Sequence, residues 1–183
     1  MMWIKSINPS GYDWMVYYGD ETDYLKLNTT YATADGAFAW NDTAPTSSVF
    51  SLGNGGIVNG SSKKFVAYLF ATLAGVSKVG SYSGTSNTQN IDCGFSNGAK
   101  FLLIKRTDAA GGWYIFDSVR GINANSDSPN TDPYLFLDST AAQATSDDYL
   151  SPYSSGFTIN SGGSPINESY GGSVSYIFYA IAA

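Results

Sequence analysis

The segment Phe101-Leu102-Leu103-Ile104-Lys105-Arg106 decides the fold, because the chain begins with a second version of it. That version is Met1-Met2-Trp3-Ile4-Lys5-Ser6, and each is an apolar run followed by an Ile-Lys pair. A tryptophan block then follows each run at nearly the same spacing, residues 13–17 after the first and residues 112–116 after the second. Recurrence of two blocks in one order indicates an internal repeat.

Three further pairs of blocks continue the repeat in the same order. Residues 24–30 match residues 134–140, residues 48–52 match residues 155–159, and residues 65–71 match residues 176–182. Five matching pairs predict a duplication. The first copy covers residues 1–71, connecting strands cover residues 72–99, the second copy covers residues 100–183, and the whole chain is expected to form one compact unit.

Each block has the length and the alternation of a β-strand. Leu25 and Leu27 alternate with Lys26, whereas Leu135 and Leu137 flank Phe136, so we expect the leucines to face a core and Phe136 to face outward. The connecting residues add strands at 77–82 and 89–95, with a hairpin turn at 84–87. Short helical turns are expected at residues 30–34 and 139–144.

The composition agrees with many short strands joined by turns. Aromatic residues make up 15% of the chain and charged residues only 13%, which is the reverse of a disordered chain. There are 20 Gly but only two Glu, Glu21 and Glu168, whereas a helical protein uses Glu freely. We therefore predict an all-β fold, an antiparallel β-sandwich of jelly-roll or concanavalin-like type.

Several function classes are excluded by the residues that the chain lacks. Without His there is no Ser-His-Asp or Cys-His catalysis, and the lone Cys93 rules out an internal disulfide and a cysteine-based zinc site. A net charge of −6 argues against nucleic acid as a partner. No apolar run approaches the ~20 residues that span a bilayer. The first five residues lack the layout of a secretory signal and predict a strand that starts at once.

The second copy carries the clearest resemblance to a known family. Its motifs are residues 78–84, Cys93-Gly94-Phe95, residues 101–108, residues 113–121 and the ending at residues 154–158 and 176–180. They resemble a duplicated domain of tailed-bacteriophage virion proteins, particularly tail-fibre and related proteins of marine phages. That family is similar in fold to concanavalin-like and laminin-G-like β-sandwiches. The first copy departs from the pattern, because residues 18–20 stand where residues 118–121 stand in the second.

The resemblance implies a virion structural protein, on the outside of the particle as a tail fibre, tail or capsid-decoration subunit. Its partners would be other virion subunits and further copies of itself, and fibre-like phage proteins imply trimers. The sequence itself adds that the apolar blocks at residues 65–71 and 176–183 leave little chain after them to cover a sheet edge. Exposed edges favour self-association.

Catalysis is not expected, although carboxylates are plentiful. A glycosidase needs two carboxyl groups about 5–10 Å apart, but Asp127, Asp132, Asp147 and Asp148 stand in turn sequences where Asp usually caps backbone amides. A tail-associated polysaccharide depolymerase is the enzymatic alternative. Among the cations, Arg106 and Arg120 are expected to pair with Asp108 and Asp117, and Lys5 and Lys105 with an Asp.

Calcium is the one cofactor that the sequence suggests. Laminin-G-like sandwiches often hold this ion near a rim, and oxygen ligands cluster at Asp127, Asn130 and Asp132. The alternative interpretation of this loop is a solvated turn.

Glycan binding is the alternative function, in which the chain recognises a host receptor. Aromatic rings stack against sugar faces, and the candidates are Trp40, Tyr17 and Tyr18, with the loops at residues 33–46 and 119–133 as the contact surface. Trp14 and Trp113 hold equivalent positions in the two copies, which favours a core role for both. Trp40 has no equivalent in the second copy, so we expect it on a surface specific to the first.

Overall fold

The computed structural model describes residues 1–122, 131–161, 164–169 and 174–183, and it is almost entirely β. The chain divides into two compact units, Met1–Phe70 and Ala71–Ala183. The elements of unit 1 are β1 (Met2–Asn8), β2 (Met15–Tyr17), β3 (Asp23–Lys26), β4 (Ala34–Asp35), α1 (Ala37–Trp40), α2 (Gly56–Asn59) and β5 (Lys64–Leu69). Those of unit 2 are β6 (Ser77–Ser83), β7 (Gln89–Asp92), β8 (Ala99–Arg106), β9 (Trp113–Asp117), β10 (Tyr134–Phe136), β11 (Leu150–Tyr153), β12 (Gly156–Ile159) and β13 (Ser175–Ala182).

Unit 1 is a five-stranded antiparallel sheet in the order β4-β3-β2-β1-β5. Alternation along β1 places Met2 and Ile4 on one face, where Met15 of β2 joins them, and α1 and α2 cover that face. The buried cluster that results comprises Met2, Ile4, Met15, Ala39, Trp40 and Val58. This cluster therefore forms between one face of the sheet and two short helices, whereas Val16 and Leu25 are buried outside it.

The two helices are one turn each and do not lie where the sequence predicted helical turns. Helix α1 ends at Asn41, whose φ of 58° is left-handed and whose N–H bonds the carbonyl of Ala37 at 2.8 Å. Neither residues 30–34 nor residues 139–144 form a helix. Within the described ranges, no helix has the length and apolar character needed to cross a membrane.

Unit 2 confirms the predicted antiparallel β-sandwich. One sheet has the order β10-β9-β8-β13-β6 and the other has the order β11-β12-β7. Their facing side chains form one buried cluster, in which the rings of Phe157 on β12 and Phe178 on β13 lie 5.3 Å apart. Burial of these side chains between the sheets is the main stabilising contribution to the unit.

Strand pairing follows the same order in the two units. In unit 1, β1, β2 and β3 pair in succession, and β5 lies on the other side of β1. In unit 2, β8, β9 and β10 pair in succession, and β13 lies on the other side of β8. The corresponding strands hold the blocks that were matched in the sequence. This correspondence supports the internal repeat, which stays a prediction, as does the packing of both copies into one compact unit.

Two side-chain contacts also recur at corresponding positions. The backbone N–H of Trp14 donates to the side-chain oxygen of Asn28 at 2.8 Å. The backbone N–H of Trp113 donates to a carboxylate oxygen of Asp138 at 2.7 Å. Asn28 stands two residues after the end of β3, and Asp138 stands two residues after the end of β10. The tryptophan backbone is therefore held by the same kind of bond in each unit.

The expected hairpin between residues 77–82 and 89–95 is wrong. Strand β6 pairs with β13 in one sheet, whereas β7 pairs with β12 in the other. The intervening residues cross between the sheets and bind to Asn167, which accepts from Thr85 N–H through its side chain and from Ser86 N–H through its carbonyl. The turn residues are thus used for a crossover.

Three other expectations about strands also fail. Residues 48–52 do not form a strand, because Thr46 and Val49 close a tight turn through an N–H···O bond of 2.8 Å. Phe136, the last residue of β10, packs against the core while the next residue, Leu137, is exposed, which is the reverse of the predicted faces. Strand β13 is central, between β8 and β6, so residues 176–183 leave no open edge. Strand β5 does lie at an edge.

Candidate functional site

Trp40 lies in the core of unit 1, and the prediction that it forms a surface is wrong. Only 1% of the residue is exposed, and its indole N–H donates to the carbonyl of Asp23 at 2.9 Å. Helix α1 turns the ring inward to cover the sheet. A ring in this position has no free face for a sugar.

The other two predicted aromatic residues are partly buried beside it. The ring of Tyr17 meets Trp40 edge-on at 5.7 Å, and the hydroxyl of Tyr18 donates to Asp23 at 3.2 Å. Burial, and then the nearby charges of Asp23 and Asp20, raise the pKa of Tyr18. The structure therefore places Tyr17 at the edge of the core and gives Tyr18 an internal partner. Residues 33–46 are not a free loop, because they contain β4 and α1.

Of the calcium candidates, Asp127 and Asn130 lie outside the described residues, as does much of the loop at residues 119–133. Asp132 is fully buried and its carboxylate accepts the N–H groups of Tyr149 and Leu150 at 2.8 and 2.6 Å. In the part of the chain that the structure describes, no three His, Cys, Asp or Glu side chains come together as metal ligands. Oδ2 of Asp132 thus serves backbone amides, and calcium binding stays a prediction.

The remaining acidic residues singled out in turns also have internal partners. Asp147 accepts the hydroxyl of Tyr134 at 3.1 Å, and Asp148 accepts the side-chain amide of Asn160 at 2.7 Å. These bonds connect neighbouring segments of unit 2. The sequence predicted caps on backbone amides, which is what Asp132 provides, whereas Asp147 and Asp148 accept from side chains.

The predicted arginine pairs are confirmed. Arg106 lies 2.9 Å from Asp108, and Arg120 lies 2.9 Å from Asp117. Arg106 also contacts Glu168, which the sequence did not suggest. Because these side chains are partly exposed, each pair contributes little to stability, at most about 1 kcal/mol.

The equivalent lysines donate to backbone carbonyls, where the sequence suggested an Asp. Lys5 donates to the carbonyl of Tyr12, and Lys105 donates to that of Gly111 at 2.6 Å. Each ammonium also lies about 6 Å from a tryptophan ring, at 6.0 Å for Trp14 and 5.9 Å for Trp113. Trp113 is fully buried and Trp14 partly so, in line with the expected core role.

A cavity that the sequence did not suggest opens at one end of the sandwich in unit 2. Its volume is about 480 Å³, and it lies where the turn before β8, the end of β9 and the β11–β12 hairpin meet. Small polar side chains and one tyrosine surround it: Ser96, Asn97, Ser118, Ser151, Tyr153 and Ser154. The larger apolar residues of the lining are Ile122, Pro152 and Phe157.

Backbone hydrogen bonds fix the rim of this cavity. Gly98 N–H donates to the carbonyl of Ser154 at 2.7 Å, and Ser118 N–H donates to the carbonyl of Lys100 at 2.9 Å. Gly98 adopts a left-handed φ of 79°, and a Cβ there would come within 3.0 Å of the carbonyl of Tyr153. The turn before β8 and the β11–β12 hairpin are thus held together at close range.

The sequence held no strong signal for this cavity. Ser96 and Asn97 follow one strand candidate, and Ser151 to Ser154 are ordinary turn residues that stand more than fifty positions later. Only the pairing of β12 with β7 brings the two segments to the same end of the sandwich. Long-range strand pairing of this kind cannot be inferred from residue type alone.

Comparison with known proteins gives a family but no function. No curated protein and no solved structure matches the chain. One family, described as a domain of unknown function (DUF7483), matches residues 1–183. Since the match extends over the whole sequence, the chain belongs to this DUF7483 family.

Proposed function

We propose that the protein is a structural subunit of a tailed-bacteriophage virion, at the particle surface, and that it assembles by pairing of sheet edges. The phage assignment comes from the sequence resemblance described above. The observation that supports assembly is the open edge of β5. This strand pairs with β1 on one side only, and no other described strand pairs with it.

The geometry of β5 shows which backbone groups are available for pairing. Met1 and Phe70 exchange N–H···O bonds in both directions, so the alternate residues Tyr68 and Val66 also bond β1. Ala67 and Leu69 therefore direct their N–H and C=O groups away from β1. Both residues are exposed, Leu69 to 64%.

This edge is complementary to itself. Suppose that β5 of a second protein molecule pairs antiparallel with this edge, about a two-fold axis at Ala67. The outward-facing N–H and C=O groups of the two strands then meet in register. Phe65 then lies opposite Leu69 of the second molecule, and Val66 lies opposite Tyr68 of that molecule. Both cross-strand pairs combine apolar side chains, which is the arrangement that stabilises paired strands. The partner that fits this edge is accordingly a second molecule of the same protein.

Sedimentation velocity tests the assembly. We expect the wild type to sediment at twice the monomer mass of 19.5 kDa or more. Ala67→Lys, which places two like charges at the two-fold axis, is expected to give monomers. Ala142→Lys is the matched control, because it adds the same charge at an exposed alanine in unit 2. Monomeric wild type, or a trimer that Ala67→Lys leaves intact, would contradict pairing through β5.

The virion assignment needs a separate test. Particles purified from the source culture are analysed by mass spectrometry, and we expect peptides of this chain in fixed proportion to the major capsid protein. If its peptides are lost as the particles are purified, the protein is not a virion component.

A second candidate function is recognition of a host-surface glycan. The observation that favours it is the polar cavity at the end of the unit 2 sandwich. Fluorescently labelled protein is expected to bind host cells, and prior removal of surface polysaccharide from those cells is expected to abolish the binding. Unchanged binding after that treatment would exclude a glycan receptor.

A further inference from the structure

We propose that the cavity at the end of the unit 2 sandwich binds one or two rings of a neutral carbohydrate. This inference deepens the second candidate function, glycan recognition, and does not depend on assembly through β5. The volume of about 480 Å³ lies within the range of small-molecule sites.

The first argument is the supply of polar groups that have no internal partner. Five of the six polar side chains around the cavity make no hydrogen bond to any described residue: Ser96, Asn97, Ser118, Tyr153 and Ser154. The sixth, Ser151, donates to Asn160 at 3.0 Å. Hydroxyls and amides both donate and accept, so they match the hydroxyl groups of a sugar.

The second argument is the combination of these groups with an apolar surface. Ile122 and Pro152 supply the accessible apolar lining, and Phe157, at 1% exposure, lies beneath it in the core and offers no free face of its own. A pyranose ring has apolar C–H faces and a polar perimeter. A lining with apolar residues and a hydroxyl-bearing rim is suited to both parts of such a ring.

The third argument is charge. None of the described side chains that line the cavity is cationic or anionic at neutral pH. Asp117 and Arg120, which stand on either side of the lining residue Ser118 in the sequence, pair with each other at 2.9 Å. A phosphate or carboxylate ligand would lack a compensating charge, so the site favours an uncharged ligand.

The fourth argument is rigidity. Backbone bonds hold the turn containing Gly98 against Ser154, and the N–H groups of Cys93 and Phe95 both donate to the carbonyl of Ser155, at 2.8 and 3.1 Å. Two sides of the rim are therefore positioned before a ligand arrives. A preorganised rim reduces the entropy cost of binding.

Backbone amide NMR of the intact chain tests the proposal. The probes are methyl α-D-glucopyranoside, methyl β-D-galactopyranoside and N-acetylglucosamine, titrated to about 50 mM because single sugar rings bind proteins weakly. Glucose 6-phosphate is the charged comparison. We expect saturable shifts at Ser96, Asn97, Tyr153 and Ser154 with at least one neutral sugar, and weaker binding of the phosphate.

Three variants locate the site. Asn97→Ala is expected to weaken binding about threefold to tenfold, the effect of one lost hydrogen bond. Tyr153→Ala is expected to weaken it by at least as much. Tyr31→Ala, which alters a tyrosine that is 65% exposed in unit 1, is the control and is expected to leave affinity unchanged.

The outcomes separate this proposal from the others. No shift with any neutral sugar, shifts confined to Tyr17 and Tyr18, or tighter binding of glucose 6-phosphate would each overturn it. Affinity that survives both Asn97→Ala and Tyr153→Ala in folded protein would also overturn it. Sedimentation of the same samples reports on β5 pairing independently, so failure of one proposal does not imply failure of the other.

Discussion

Lys105 shows how a buried charge makes stability depend on pH. Its side chain is fully buried, and that burial lowers the pKa of Lys105 to about 8, while the charge of Asp138 opposes the shift. Between this value and the usual pKa near 10.5, the unfolded chain binds more protons than the folded protein. Stability therefore rises with pH across that window.

We predict that unit 2 gains about 2 kcal/mol of unfolding free energy between pH 8 and about pH 10. Above about pH 10 the buried tyrosines, whose pKa values are raised, reverse the trend because the unfolded chain then loses their protons first. Urea unfolding at a series of pH values measures the effect. Lys105→Met should abolish the rise, and the exposed Lys64→Met should preserve it. A rise that persists in Lys105→Met would assign it to another group.

Single residues also mark the limit of inference about the site. The prediction that Trp40 is exposed rested on its lack of an equivalent in the second copy. In the structure that difference has another cause, because unit 1 covers its sheet with helices and needs a large side chain on α1. The cavity residues were overlooked for the opposite reason. Serines and an asparagine in turns give no sign of a site in the sequence, because only the pairing of distant strands brings them together.

Among the elements, strands were predictable where the apolar pattern was local and repeated. Blocks closed by Ile-Lys became β1 and β8, and the tryptophan blocks became β2 and β9. Strand β11 was missed because Pro152 interrupts it, and the structure tolerates that proline because β11 is an edge strand. Pairing partners were less predictable than strands, as the crossover between β6 and β7 shows.

The crossover after β6 gives a prediction about an element. A Cβ at Gly84 would lie 1.9 Å from the carbonyl oxygen of Glu168, so the two segments can approach only because residue 84 has no side chain. We expect Gly84→Ala to destabilise unit 2 by about 2–4 kcal/mol, because backbone must move to relieve the overlap. The loss is measured as a decrease in the urea midpoint.

Gly56→Ala is the matched control for this change. A Cβ at Gly56 would meet only the flexible end of Lys63 at 3.6 Å, and the residue lies in helix α2. Alanine favours a helix over glycine by up to about 1 kcal/mol, so we expect this variant to be neutral or slightly more stable. Equal effects of the two substitutions would show that close approach at Gly84 is not what constrains the crossover.

For the molecule as a whole, the all-β character could be predicted from composition, but the different architectures of the two units could not. The composition favours short strands and turns, because the chain is rich in Gly, Ser, Thr and Asn and has few charged residues. The same composition serves one sheet covered by helices in unit 1 and two facing sheets in unit 2. The choice depends on what packs against each apolar face, which is a tertiary property.

Net charge provides the prediction at this largest scale. Each protein molecule carries a net charge of −6, so two molecules repel each other as they approach. The proposed β5 pair contributes only backbone hydrogen bonds and apolar contacts. Raising NaCl from about 0.02 M to about 0.5 M shortens the screening length from over 20 Å to under 5 Å. We therefore expect self-association, measured by sedimentation equilibrium, to strengthen several-fold with salt. An interface made of ion pairs would weaken instead, and that result would remove β5 pairing as the basis of assembly.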